Sequence, residues 1–153
     1  MKKILYYFRR FFYFFFYENF NKKIKYDWGS YPARFDIINK IIKKKNYTSY
    51  LEIGCFKDEN FSQINIENKI GVDPVSGGNL RMTSDQFFLE NKKKFDIIFI
   101  DGLHIYEQVI KDIFNSIKIL NSDGIILIHD CLPRKLWYQT PVRMSNTWNG
   151  DVW

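Results

Sequence analysis

The stretch Phe95-Asp-Ile-Ile-Phe-Ile-Asp-Gly-Leu-His104 decides the fold. Its first six residues are a continuous, β-rich apolar run of the kind a parallel sheet buries on both faces, and the run stops at an acid followed by a glycine. Working outward, the same alternation repeats. Upstream lie a short apolar strand at Ser49 to Ile53, part of a helix at Phe61 to Ile66, a strand at Lys69 to Val72 and a helix at Ser84 to Asn91. Downstream, Tyr106 to Leu120 has helical spacing and Gly124 to Ile128 reads as another buried strand. Between Tyr31 and Lys45, Phe35, Ile38, Ile41 and Ile42 recur on one helical face. Lys40, Lys43, Lys44 and Lys45 lie on the other face and at the end where the helix dipole favours cations. Strands alternating with helices predict an α/β three-layer sandwich around a mostly parallel sheet.

A chain of 153 residues suffices for one domain with a real core and is too short for two, so one site is expected. Apolar residues at 46% and charged residues at 26% give the balance of a globular domain, neither disordered nor wholly membrane-embedded. The aromatic content of 19% is the outlier, and much of it falls in Leu5 to Phe20. Charge is uneven as well: residues 1–46 hold 12 Lys or Arg against 3 acids, and the remainder 11 against 14. A basic, aromatic N-terminus on a mildly acidic body argues for contact with a membrane surface or an acidic partner at that end, and against nucleic acid as a ligand. Arg9 and Arg10 interrupt the apolar run and no small-residue cleavage site follows, which argues against a cleaved signal. Phe11 to Tyr17 is far too short to span a bilayer. Residues 1–20 read as a peripheral anchor at the inner face of the membrane on a cytoplasmic protein, with a helix packed on a partner subunit or on the domain's own missing surface as the alternatives. Cys55 and Cys131 stand in no metal or redox spacing and read as reduced thiols.

In sheets of this kind ligands bind beyond the carboxyl ends of the strands. The strands here end in Glu52-Ile53-Gly54, in Val72-Asp73, in Asp101-Gly102 and in His129-Asp130, so each brings an acid to the mouth of the sheet. Gly54 permits a tight turn and close approach. Asp73 stands 21 residues after Glu52, where an acid can accept hydrogen bonds from ribose hydroxyls. No GxGxxG and no phosphate-cradling P-loop sequence occurs, so an adenosine ligand without a pyrophosphate is expected, S-adenosylmethionine rather than NAD.

Together, Tyr50-Leu-Glu-Ile-Gly54, Gly71-Val-Asp-Pro74, Met82-Thr-Ser-Asp85, the Phe95 to His104 stretch with Tyr106-Glu107, and Ile128-His-Asp-Cys131 resemble class I S-adenosylmethionine-dependent methyltransferases of the methyltransferase domain 24 type. The resemblance runs from about Trp28 to the C-terminus. It implies a Rossmann-like sheet of seven strands with the fourth and fifth adjacent, cofactor contacts at Glu52, Gly54 and Asp73, and an adenine-side contact at Ser84 or Asp85. Two departures stand out. Asp58 occupies a position where a further glycine is commoner, and reads instead as a cap for the helix that follows. The chain also stops at Val152-Trp153 without a polar tail, which reads as a sheet lacking its last strands. The expected organisation is a basic aromatic segment over residues 1–27 and an incomplete methyltransferase domain over residues 28–153.

The expected reaction is methylation of an oxygen on a small polar or sugar acceptor, with Asp101, His104, His129 and Asp130 as the catalytic set and Asp101 also facing the cofactor. Two carboxylates on adjacent strand ends share a proton or gather a cation, so Asp101 and Asp130 are candidate ligands for Mg²⁺. A metal-free histidine base is the alternative. Plainer roles compete at each position: Asp101 capping the next helix, Asp85 as an N-cap, His129 as a satisfied core histidine, and Phe87 and Phe88 as core. Two other functions compete as well, an inactive cofactor fold serving as a membrane or partner module, and a nucleotide-dependent oxidoreductase, which the missing GxGxxG disfavours.

Overall fold

The computed structural model describes residues 31–133, 138–140, 143 and 148–152, together with Leu5, Tyr7, Phe8, Phe11, Phe12 and Phe15. Its elements are α1 (Arg34–Lys45), β1 (Ser49–Ile53), a 3₁₀ turn (Phe61–Gln63), β2 (Asn68–Val72), α2 (Ser84–Glu90), β3 (Phe95–Ile100), α3 (Tyr106–Ile119) and β4 (Leu120–Ile128). The four strands form one sheet in the order β2-β1-β3-β4, every pair parallel. These are four of the seven strands the resemblance implies, and the expected adjacency of the last two holds, with Ile100 opposite Ile128.

Alternation along the strands builds two cores. Tyr50, Ile97 and Phe99 point to one face, where α1 packs Ile38 and Ile42 against them. Leu51, Ile53, Ile98 and Ile100 point to the other, beneath Phe87 of α2 and Ile113 of α3. A helix on one face and two on the other is the three-layer arrangement, and the Phe87 and Phe88 expectation holds, Phe88 packing at the edge of that second core. Each buried Ile or Phe contributes about 1.5 to 3 kcal/mol, so the sheet faces carry the stability of this unit. α1 ends at Asn46 in a left-handed conformation, its N–H returning to Ile42 O, with Lys43, Lys44 and Lys45 in the last turn.

Three expectations need correction. The helix placed at Phe61 to Ile66 is a single 3₁₀ turn, because Asn39 claims the backbone that would continue it: its amide donates to Gln63 O at 2.8 Å and its Oδ1 accepts Asn65 N–H at 2.9 Å. β4 begins at Leu120, four residues before Gly124, and the pairing jumps from Phe95↔Leu120 to Ile97↔Ile125. The cap of α2 is Thr83, whose hydroxyl accepts Gln86 N–H while Gln86 Oε1 accepts Thr83 N–H, so Asp85 sits in the first turn and not at the N-cap.

The chain forms two compact units. One comprises Ser30–Leu103 and Glu107–His129 and holds the sheet; the other comprises Met1–Gly29, His104–Tyr106 and Asp130–Trp153. In the second unit the six described N-terminal residues are helical or in a π-turn, and Leu5, Tyr7, Phe8, Phe11, Phe12 and Phe15 are all exposed. Phe11 stacks on Phe15 at 5.8 Å. No helix among the described residues is long and apolar enough to cross a membrane.

Candidate functional site

After β2 the chain crosses back over β1 to place β3 on its far side, so the order of the sheet reverses between β1 and β3. Ligands of open parallel sheets bind beyond the carboxyl ends of the strands at such a reversal. Gly54 follows β1 here with φ +86°, and a Cβ on it would lie 2.2 Å from Asp101 O and 2.5 Å from Gly102 Cα. The tight approach foreseen for Gly54 is thus an approach to the loop after β3. Asp101 N–H donates to Ile53 O at 2.8 Å and Gly54 N–H to Val72 O at 2.8 Å, so three strand ends are tied into one floor.

Asp73 organises the walls. Its Oδ2 accepts the N–H groups of Cys55 at 3.1 Å and Phe56 at 2.9 Å, and its Oδ1 those of Val75 at 2.8 Å and Ser76 at 2.9 Å. Burial works to raise its pKa, but these four donors outweigh that and hold it below the usual carboxylate range. A carboxylate offers about four lone-pair sites, so a ribose hydroxyl at Asp73 would share oxygens that already accept two N–H groups each. Asp58 completes the junction. It caps no helix; it lies in the left-handed region at φ 62°, and its Oδ1 accepts Gly78 N–H at 2.6 Å. Phe56, also left-handed, presents an exposed ring at this loop.

Glu52 lies under the floor, 1% exposed, and accepts hydrogen bonds from the Tyr50 hydroxyl and from Asn60 Nδ2, the latter at 2.8 Å. Burial pushes its carboxyl up to about 7 despite these donors, and pushes the Tyr50 hydroxyl up as well. Cys55 beside it is a free, buried thiol, its pKa raised by burial, as a reduced and inert cysteine should be. Ser84 and Asp85 open α2, and both are joined to α3 through Gln108, whose amide nitrogen lies 3.2 Å from Ser84 Oγ, 3.0 Å from Asp85 Oδ1 and 3.1 Å from Asp112 Oδ1. Asp112 is buried, and desolvation raises its pKa.

Asp101 lies just past the end of β3. Its Oδ2 accepts from Arg34 Nη1 at 2.8 Å and its Oδ1 faces His129 Nδ1 at 3.0 Å. His129 is half-buried with its ring edge against Phe99 at 5.9 Å, which makes it neither a plain core histidine nor a solvated one. The second unit contains a separate histidine–acid pair, with His104 Nδ1 at 3.1 Å from Asp130 Oδ2 and the Asn149 amide donating to Asp130 Oδ1 at 2.9 Å. The two acids expected to gather a cation therefore belong to different units. Each oxygen of the two carboxylates faces one nitrogen of its own unit and keeps a further lone pair.

Four residues of this picture are absent from the sequence expectations. Arg34 had a faint signal, a lone arginine opening a helix that ends in lysines. Asp112 had a better one, since Val109, Asp112 and Ser116 recur on the buried face of α3. Gln108 and Asn149 had none, because an amide acquires meaning only from what it touches. Residues 43–131 match a family model described as a methyltransferase domain, of the domain 24 type. No curated protein matches the chain.

Proposed function

Because the chain belongs to the methyltransferase domain family and is an S-adenosylmethionine-dependent methyltransferase, we propose that it methylates a hydroxyl oxygen of a small polar acceptor, a sugar among them. The observation that carries the cofactor half is the floor at the reversal of strand order, where Gly54 meets the Asp101 backbone and Asp73 holds the loops after β1 and β2. Gly54, Asp73, Ser84 and Asp85 line or shape the adenosine site in this reading. Glu52, buried beneath Gly54, supports the loop from below.

When bound, the cofactor supplies a methyl group on a positively charged sulfur. The chain's own part is to remove a proton from the acceptor hydroxyl as its oxygen lone pair forms the new O–CH₃ bond and the sulfur keeps the electrons of the old one. His104 is the base in this reading: Asp130 faces its Nδ1 and stabilises the imidazolium that forms. Asp101 shares its charge between Arg34 and His129, which suits it to fixing the loop after β3. Titration calorimetry with S-adenosylhomocysteine tests the cofactor half, and transfer of labelled methyl groups to a panel of hydroxyl acceptors tests the rest. Absence of binding by the folded chain overturns the site; a panel in which only nitrogen or carbon acceptors are methylated overturns the oxygen assignment.

The N-terminal segment has a separate role in this proposal, as a peripheral anchor at the cytoplasmic face of a membrane. Its support is the row of exposed aromatic side chains, Tyr7, Phe8, Phe11, Phe12 and Phe15, on a segment with an excess of Lys and Arg. Sedimentation with anionic vesicles should fall when residues 1–20 are removed and when salt is raised. Equal sedimentation with and without them removes the anchor.

A further inference from the structure

We propose that Trp148 and Asn149 are positioning residues that hold the His104 imidazole in its Nδ1–H tautomer and leave Nε2 as the basic nitrogen. This rests on the reading of His104 as the base and says how the base is set. Nδ1 of His104 faces two oxygens, the Trp148 carbonyl at 3.2 Å and Asp130 Oδ2 at 3.1 Å. A carbonyl oxygen only accepts, and so does an ionised carboxylate, so the proton of the neutral ring belongs on Nδ1. Nε2 then carries the lone pair.

The acceptors are themselves fixed from one short segment. Asn149 Nδ2 donates to Asp130 Oδ1 at 2.9 Å, which turns Oδ2 toward the imidazole. The Trp148 ring stacks on the imidazole at 5.7 Å between centroids and 21° between planes, and its Nε1 donates to Thr140 O at 2.6 Å. Asn149 N–H and Gly150 N–H both donate to Tyr138 O, at 2.9 and 3.1 Å. Gly150 closes the segment onto His104 with φ +68°, where a Cβ would lie 1.7 Å from His104 O. Asp151 Oδ1 then accepts Tyr106 N–H at 2.8 Å. Trp148, Asn149, Gly150 and Asp151 all lie beyond residue 131, where the family match ends.

Long-range proton–nitrogen NMR on the full chain labelled at its histidines tests the inference directly. There are only two histidines, and His129→Gln assigns them. The neutral His104 ring should show the Nδ1–H pattern, opposite to the Nε2–H form that free imidazole side chains favour in water. Asn149→Ala and Trp148→Ala should each move the pattern toward a mixture, whereas Asn149→Gln, which keeps an amide, should restore part of it. Calorimetric binding of S-adenosylhomocysteine confirms that each variant is folded. An Nε2–H pattern in the parent chain, or an unchanged pattern in both alanine variants, overturns the inference. Near-normal turnover in His104→Ala overturns the base assignment instead and leaves the tautomer result standing, so the two failures are distinguishable.

Discussion

Strand β3 carries an acid at each end of its apolar run, and the two are held in opposite ways. Asp96, near the start, is surrounded by neutral donors. Its Oδ2 accepts the backbone N–H and hydroxyl groups of Thr48 and Ser49 at 2.8 to 3.1 Å, and its Oδ1 accepts the Asn121 amide at 2.6 Å. These bonds outweigh the cost of burial and hold it at about 2. Asp101, just past the end, is held by side chains, the Arg34 guanidinium from 67 positions upstream and the His129 ring from the end of β4. Neutral donors fixed by the backbone saturate a carboxylate and staple the sheet. At the ligand end, the other is held by side chains from separate elements.

The contrast breaks most visibly in turnover. Residues past the strand ends should govern activity and those at the strand starts should not, so His104→Ala should lower methyl transfer by about 10²- to 10⁴-fold with an unchanged melting temperature. Measured turnover within threefold of the parent, on the acceptor found by the panel, would remove His104 from the mechanism.

Glu52 sharpens the contrast, being a buried strand-end acid held by neutral donors alone. With its carboxyl pushed up to about 7, the folded state favours the protonated form. Its contribution is fully present below the ordinary value of 4.5 and is lost as pH rises through 7. Unfolding free energy should fall over that window by up to about 3 kcal/mol, and Glu52→Gln should flatten the fall. Parallel pH profiles of parent and variant in urea unfolding would show that the buried carboxyl is not titrating.

Asp96 should behave with the opposite sign. Its stabilisation is complete above the ordinary carboxylate value of 3.8 and is lost as pH falls through about 2. At neutral pH Asp96→Ala should cost about 2 to 3 kcal/mol in denaturant unfolding while S-adenosylhomocysteine affinity stays the same. A large loss of affinity at full stability would reverse the roles assigned to the two ends. The smallest effect belongs to Arg34. Its guanidinium is about one-third exposed, so Arg34→Ala should change stability by no more than about 1 kcal/mol. A larger loss would mean that the Asp101 pair is a staple like Asp96.

How far these assignments were legible depended on whether a residue's meaning is local. Ser49 to Ile53 and Phe95 to Ile100 were readable to the residue, because a run of apolar β-formers between turn signals has few alternatives. The turn at Phe61 was not, since Asn39 stops it from 22 positions upstream. Asp58 was mistaken for a cap for the same reason: its partner, Gly78 N–H, lies on a loop that only the sheet order brings near.

The sequence by itself determined the parallel α/β class, the acids at the strand ends and the family, because hydrophobic periodicity and short motifs are properties of neighbours along the chain. The tertiary structure alone decided which donors each acid receives. Asp73 was readable as an acid after a strand, but its four backbone donors come from two loops, Cys55 and Phe56 on one and Val75 and Ser76 on the other. Hydrogen bonds fall off within a few tenths of an ångström, and that precision arises only when distant segments pack together.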